Sequence, residues 1–158
     1  MRLAQPEDAP AVATLIRRVM RRWVLPDQPR KAGRALLSRV TAKFLRERII
    51  EGQRFHLGYL GDVLVGVSAM RDDCHLIHFF VSTRYQGRGI ARQLWRRTMR
   101  DAIRRAGTRR FTLNATRCGV PVYLRFGFRV SAPEHISHHG LLVTPMKMIL
   151  PVARGMRA

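Results

Sequence analysis

The apolar run Leu76-Ile77-His78-Phe79-Phe80-Val81 passes into Ser82-Thr83-Arg84-Tyr85-Gln86-Gly87-Arg88-Gly89 and then into Ile90-Ala91-Arg92, the start of a helical pattern that reaches Ala106 and stops at Gly107. Such a run predicts a central strand buried on both faces. A strand, a glycine-rich turn and a long helix in that order require a layered fold, because the helix must pack back on the sheet. The same turn predicts a binding site. The first N–H groups of a helix have no partner inside it, and the helix dipole adds partial positive charge, so phosphate binds there. Gly87 and Gly89 have no Cβ and let the backbone come close to a ligand. Ala91 is small enough for helix and turn to pack, and Arg88 and Arg92 add positive charge. A diphosphate is the expected ligand. The P-loop pattern is absent, and Arg92 stands where G-x-G-x-x-G would place its last glycine.

Around this segment the chain alternates helices and strands. Ile16, Val19, Met20 and Trp23 recur at helical spacing after Pro6-Glu7-Asp8, and Pro26 and Pro29 break that helix. A second helix is expected over about Ala32 to Ile50, with Leu36, Val40, Phe44 and Leu45 on one face and Gly52 at its end. Phe55, Leu57 and Tyr59 alternate before Gly61-Asp62, and Val63, Val65 and Val67 alternate after it, which reads as a hairpin. A turn at Arg71-Asp72-Asp73 precedes the central strand. Phe111–Ala115 is the next strand, and a short helix over Val120–Phe126 stops at Gly127. Strands at Phe128–Val130 and Leu141–Leu150 follow, with one more at Arg2-Leu3-Ala4. The fold class is α/β, a mixed central sheet of six to seven strands with about four helices, in a single domain over residues 1–158.

At 158 residues and 46% apolar content, the chain can bury a real core. No stretch approaches the ~20 apolar residues of a membrane span. Met1–Asp8 has no apolar signal core, so the expectation is a cytoplasmic protein with no membrane partner. Cys74 and Cys118 are too few for a disulfide framework. The net charge is +20, and only Lys31, Lys43 and Lys147 are lysines, so nearly all the cationic charge is arginine. A positive field attracts polyanions, a phosphorylated cofactor among them. The arginines are spread along the chain. Those of the helix Ile90–Ala106 (Arg92, Arg96, Arg97, Arg100, Arg104 and Arg105) have no aromatic platform beside them. They read as a solvated face, with Leu94, Trp95, Thr98, Met99, Ala102 and Ala106 turned inward, and nucleic acid is disfavoured as a partner.

Gln86-Gly87-Arg88-Gly89-Ile90-Ala91 matches the pattern Q/R-x-x-G-x-G/A. Tyr123-Leu124-Arg125-Phe126-Gly127-Phe128 fits Y-x-x-x-G-F and follows a strand and the loop Thr116–Gly119. On these residues the chain resembles the GNAT superfamily of N-acetyltransferases, from about Leu3 to Leu150. The resemblance implies a splayed sheet whose strands Leu76–Val81 and Phe111–Ala115 run parallel and part at one end. It implies acetyl-CoA as cosubstrate, with its diphosphate at Gln86, Gly87, Arg88, Gly89, Ile90, Ala91 and Arg92. Pantetheine would lie along Phe79, Phe80 and Val81, with Asn114 on the facing strand and Tyr123 near the thioester as general acid. Thr116 stands where many members have Asn, and His75 where a catalytic glutamate is frequent, so the general base stays open.

Acetyl transfer to an amine needs a neutral nucleophile, and histidine titrates in the right range to take its proton. His75 and His78 are the candidates. The plain alternatives are a core tyrosine at position 123 and packed or solvated histidines. No metal is expected, because neither Cys74, His75 and His78 nor His135, His138 and His139 complete a ligand set at a known spacing. Cys118 reads as a passive loop thiol in preference to a nucleophile. Two functions follow. One is an N-acetyltransferase moving acetyl from acetyl-CoA directly to a primary amine of a small molecule or peptide. The other is a non-catalytic module of the same fold that holds RNA or an acidic partner. Tyr123 and the intact Gln86–Ala91 turn favour the first, and only the net charge favours the second. The amine pocket is expected between the first two helices and His135–Thr144, and the final strand offers a surface for a homodimer.

Overall fold

The computed structural model describes residues 1–151; the single-domain reading runs on to Ala158, and residues 152–158 lie outside the described part. In chain order the elements are β1 (Arg2–Leu3), α1 (Ala9–Val19), α2 (Arg30–Ser38), α3 (Ala42–Ile50), β2 (Phe55–Leu60), β3 (Val63–Arg71), β4 (His75–Val81), α4 (Ile90–Ala106), β5 (Arg110–Ala115), α5 (Val120–Phe126), β6 (Arg129–Val130), β7 (His135–Ile136) and β8 (Leu142–Ile149). The eight-stranded sheet runs β1-β2-β3-β4-β5-β8-β6, with β7 also on β8. The fold is thus the expected mixed α/β sheet with more strands and helices than counted from sequence.

The extra strand, β7, is a two-residue segment too short to alternate visibly. The extra helix arises because the expected helix over Ala32–Ile50 is two. Thr41 adopts extended backbone angles, and its Oγ1 accepts a hydrogen bond from the Phe44 N–H at 3.1 Å, capping a new helix at Ala42. Past its end, α1 continues into a π-helical turn at Met20–Val24.

One core cluster joins α1, α3 and the first strands through Val12, Ile16, Leu45, Phe55 and Leu57. A second joins α4, β5 and the C-terminal strands through Trp95, Ala102, Phe111, Phe128 and Met146. Leu94, Trp95, Thr98 and Ala102 face inward from α4 as expected, whereas Ala106 is exposed in the last turn. Helix α4 lies close to β3 at Gly66, where a Cβ would come within 3.2 Å of Leu94 Cδ2.

The feature that positions the site is the junction of β4 and β5. These strands are parallel and pair only at His75↔Thr112 and Leu76↔Leu113. On the other side of β4, Ala69 pairs with His78 and the next β3 residue, Met70, pairs with Leu76. Ile77 is therefore an extra residue, a bulge immediately after the last β4–β5 pair. A bulge bends its strand and strengthens its twist, which here turns β4 away from β5. The expected full burial of β4 is corrected accordingly: Ile77, His78, Phe79 and Phe80 are half-buried, because the neighbouring strand has departed. Strand β8 pairs with β5 along one edge, and β6 and β7 take short stretches of the other.

Thr41→Ala removes the α3 cap and is expected to lower stability by about 1 kcal/mol, read as a lower denaturant midpoint at constant m-value.

Candidate functional site

Beyond β4 the chain makes one tight turn at Thr83–Tyr85 and reaches Gly87 and Gly89, with φ of +81° and +77°. These left-handed angles favour glycine. A Cβ on either residue would meet nothing within 4 Å, so the space in front of the turn is open. Gly89 is the N-cap of α4 and supplies no capping side chain. The Gln93 N–H bonds to the Gly89 carbonyl at 3.1 Å and begins the helix ladder. Among the described residues, no acceptor takes the N–H groups of Gly87, Arg88, Gly89, Ile90, Ala91 or Arg92. The turn is held from behind, where buried Ile90 packs with Val65 and Val81. Gln86 donates from Nε2 to the Val81 carbonyl at 3.0 Å and so ties the turn to the strand. Arg88 lies over the Tyr85 ring at 5.4 Å, and Arg92 over Phe126 at 5.9 Å.

The open edge of β4 adjoins this turn. The Ser82 N–H bonds to the Val65 carbonyl of β3 at 2.8 Å. Backbone groups alternate sides along an antiparallel ladder, so Phe80 also faces β3, while Phe79 and Val81 face the space left by β5. The Val81 carbonyl already has Gln86, and the remaining polar groups of Phe79 and Val81 are available to a ligand. Asn114 sits near the end of β5 and is exposed.

Tyr123 belongs to α5, the short helix after β5. Its ring packs edge-on against Phe79 at 6.0 Å, Phe126 at 6.3 Å and Phe128 at 5.9 Å. Gly119 makes this position possible, since a Cβ there would stand 2.9 Å from Tyr123 Cε2. Burial, with a smaller effect from Cys118, pushes the phenol well above its ordinary pKa, so it is protonated at neutral pH. Its hydroxyl has no hydrogen-bond partner among the described residues. Cys118 is exposed and 3.4 Å from Thr116 Oγ1.

The two candidate histidines occupy different surroundings. His75 lies where β4 and β5 still pair, its Nδ1 2.8 Å from Thr112 Oγ1, and burial followed by the Arg71 charge lowers its pKa. His78 lies beyond the bulge, stacked on Phe55 at 5.7 Å and beside Phe80 at 6.2 Å. Its Nδ1 is buried without a partner among the described residues, and burial lowers its pKa to about 4. Both rings are neutral at physiological pH. The late histidines do not converge: His135 Nδ1 is 3.1 Å from the Pro133 carbonyl, and His138 and His139 stack edge-on. Among the described residues no group of three or more His, Cys, Asp or Glu could hold a metal ion. Among them, too, no helix is long and apolar enough to cross a membrane.

Two contacts near the cleft had no sequence signal. Gln28 donates to the Leu142 carbonyl at 3.0 Å and accepts from the Leu142 N–H at 2.7 Å, pinning the α1–α2 connection to β8. Arg117, in the loop before Gly119, makes a two-pronged pair with Glu134 at 2.9 Å for each bond.

A splayed mixed sheet with an anion-ready helix terminus at the mouth of the splay defines the class of fold. The chain belongs to the GNAT acetyltransferase family: the model described as "Acetyltransferase (GNAT) domain" matches residues 24–150. No curated protein sequence matches the chain. Among solved structures, it is similar to a GCN5-related N-acetyltransferase from Rhodopseudomonas palustris at 20% identity, covering 94% of each chain with a TM-score of 0.80. It is similar to the PaiA N-acetyltransferase from Thermoplasma acidophilum, solved with coenzyme A, at 13% identity, covering 94% of this chain and 96% of that one with a TM-score of 0.75. YncA of Salmonella typhimurium, described as a putative acetyltransferase and solved with acetyl-CoA, matches at 18% identity over 96% of this chain and 94% of that one, with a TM-score of 0.65. At these identities the likeness shows the fold.

His78 also makes stability depend on pH. Its folded pKa of about 4 lies below the ordinary value of 6.5, so its contribution is complete above 6.5 and is lost as pH falls toward 4. His56 and His75 are shifted the same way and add to the trend. His78→Phe keeps a ring against Phe55 and Phe80, and denaturant midpoints measured across that window are expected to fall less steeply than in the wild type.

Proposed function

We propose that this protein transfers the acetyl group of acetyl-CoA directly to a primary amine of a small molecule or peptide. The observation that carries the reading is the set of unpartnered N–H groups from Gly87 to Arg92, continuous with the open edge of β4 at Phe79 and Val81. Backbone donors that the fold leaves open in this way are met by water or by a ligand. A diphosphate at the turn and an amide-bearing arm along the strand meet them, and coenzyme A has both. Gly87 and Gly89 leave the space that a close approach requires, and Arg88 and Arg92 add charge at the same point. The PaiA and YncA structures were solved with coenzyme A and acetyl-CoA, which supports the same ligand here.

When bound, acetyl-CoA supplies the activated acetyl thioester. Tyr123, kept protonated by its apolar surroundings, gives its proton to the departing sulfur. An amine must arrive uncharged or lose a proton first. His78 is the candidate acceptor for that proton, because its imidazole is neutral and its Nδ1 has no partner among the described residues, whereas His75 is engaged with Thr112. The arginine-rich chain also favours the neutral form of a bound amine, since nearby positive charge lowers an ammonium pKa, and less is then required of the base. The amine would enter between the α1–α2 connection, held by Gln28, and the β7–β8 segment.

The test is an amine panel with acetyl-CoA, following free thiol. Wild type is expected to turn over at least one amine class. Tyr123→Phe is expected to lower kcat by roughly 100-fold with little change in acetyl-CoA affinity. Unchanged turnover in that variant removes Tyr123 from the mechanism, and release of thiol that no amine accelerates removes the amine acceptor.

A further inference from the structure

Helix α1 and its π-helical extension carry Arg17, Arg18, Arg21 and Arg22 on one side. With Thr14, these four arginines are the whole lining of a shallow groove of about 510 Å³. No carboxylate lies in it. Arg17 is occupied, donating to the carbonyls of Leu37 and Val40 at 2.6 and 3.2 Å. Arg18, Arg21 and Arg22 form no ion pair among the described residues, and all three are exposed. This differs from a cleft of about 400 Å³ beside the C-terminal half of α4. There Arg54 is paired with Asp101 at 2.7 Å and Arg105 with Asp73 at 3.5 Å, so opposite charges offset one another.

An aromatic ring, Trp23, stands beside this groove, whereas on α4 it is Arg92, outside the Arg96–Arg100–Arg104 row, that lies over a ring, Phe126. Arg22 lies over the half-buried indole of Trp23 at 4.3 Å. Trp23 donates from Nε1 to Thr83 Oγ1 at 3.0 Å, which fixes the indole against the turn that follows β4. Trp23 and Thr83 are sixty positions apart in the chain, so the sequence could not show this neighbour. The strip therefore runs from Arg18 and Arg21 through Arg22 and Trp23 to Thr83 and Arg84, at the mouth of the turn assigned to the diphosphate.

We propose that this strip is a binding surface for single-stranded RNA, separate from the coenzyme A site. Planar guanidinium groups suit phosphate oxygens in a way that point-charge ammonium groups do not. Unpaired cations along a groove track a phosphodiester backbone, and a fixed aromatic ring stacks bases without regard to sequence. A convex basic helix face supplies only the charge. The inference rests on the surface alone and stands or falls independently of acetyl transfer.

The experiment is fluorescence anisotropy of a labelled single-stranded RNA with the full chain, at saturating acetyl-CoA, over about 50 to 200 mM salt. The wild type is expected to bind, with affinity falling as salt rises. Arg18→Ala/Arg21→Ala/Arg22→Ala is expected to lose at least tenfold in affinity, and the log–log salt slope should become shallower by about 2, the value for three lost phosphate contacts on a single strand. Trp23→Leu is expected to lose roughly tenfold with the slope unchanged. Arg96→Ala/Arg100→Ala/Arg104→Ala removes as much charge from α4 and should change affinity less than threefold. Far-ultraviolet circular dichroism and the denaturant midpoints of the two triple variants report that both are folded. Three outcomes overturn the proposal. Equal losses from the two triple variants would mean that net charge alone binds. Displacement of RNA by acetyl-CoA would mean that the strip is only the nucleotide end of the cofactor site. No binding by the wild type would mean that the strip is a solvated surface.

Discussion

Two parallel strands that pair for two residues and then separate leave a row of peptide groups without their neighbour. In this protein β4 does so after Leu76, at the bulge of Ile77. Everything at the site follows from that separation. The gap faces backbone from Phe79 and Val81, and the same strand leads into a helix terminus that is also short of partners. A fold with so many unsatisfied donors in one place is stable only because water reaches them, and a ligand that replaces that water binds without rearranging the chain. The packing behind the gap keeps it rigid: Ile90 seals the turn against β3 and β4, and Tyr123, Phe126 and Phe128 fill the space at its other side.

The electrostatics of the site come from burial more than from pairing. His78 and Tyr123 both sit among aromatic rings, and both are held in their neutral forms. Loss of solvent lowers the imidazole pKa and raises that of the phenol, so one physical cause acts on the two groups in opposite directions. Cationic charge stays on exposed positions, on Arg88, Arg92 and the arginines of α1, away from the aromatic surroundings of His78.

Much of this was legible in the sequence because glycine marks boundaries. Helices α4 and α5 begin and end where the sequence places them, since Gly89, Gly107 and Gly127 take left-handed angles at their ends. The hairpin of β2 and β3 follows from alternation. What stayed hidden depends on contacts that no local pattern records. Ile77 is one apolar residue in an apolar run, and only its pairing with β3 shows that it is a bulge. Thr41 fits a helix by composition and becomes a cap only because its backbone is extended. Gly119 reads as an ordinary loop glycine until Tyr123 is seen against it. The Gln28 clamp on Leu142 joins residues far apart in sequence, as does the Trp23–Thr83 bond.

The central claim is that amide hydrogens from Gly87 to Arg92 hold the diphosphate of coenzyme A. Amide resonances of the isotope-labelled protein, followed while coenzyme A is added, address it residue by residue. The account predicts that the Gly87–Arg92 signals move together, to low field and with one dissociation constant, and that Phe79 and Val81 move with them. Signals at Gly87–Arg92 that stay fixed while coenzyme A binds elsewhere, or does not bind at all, would contradict it.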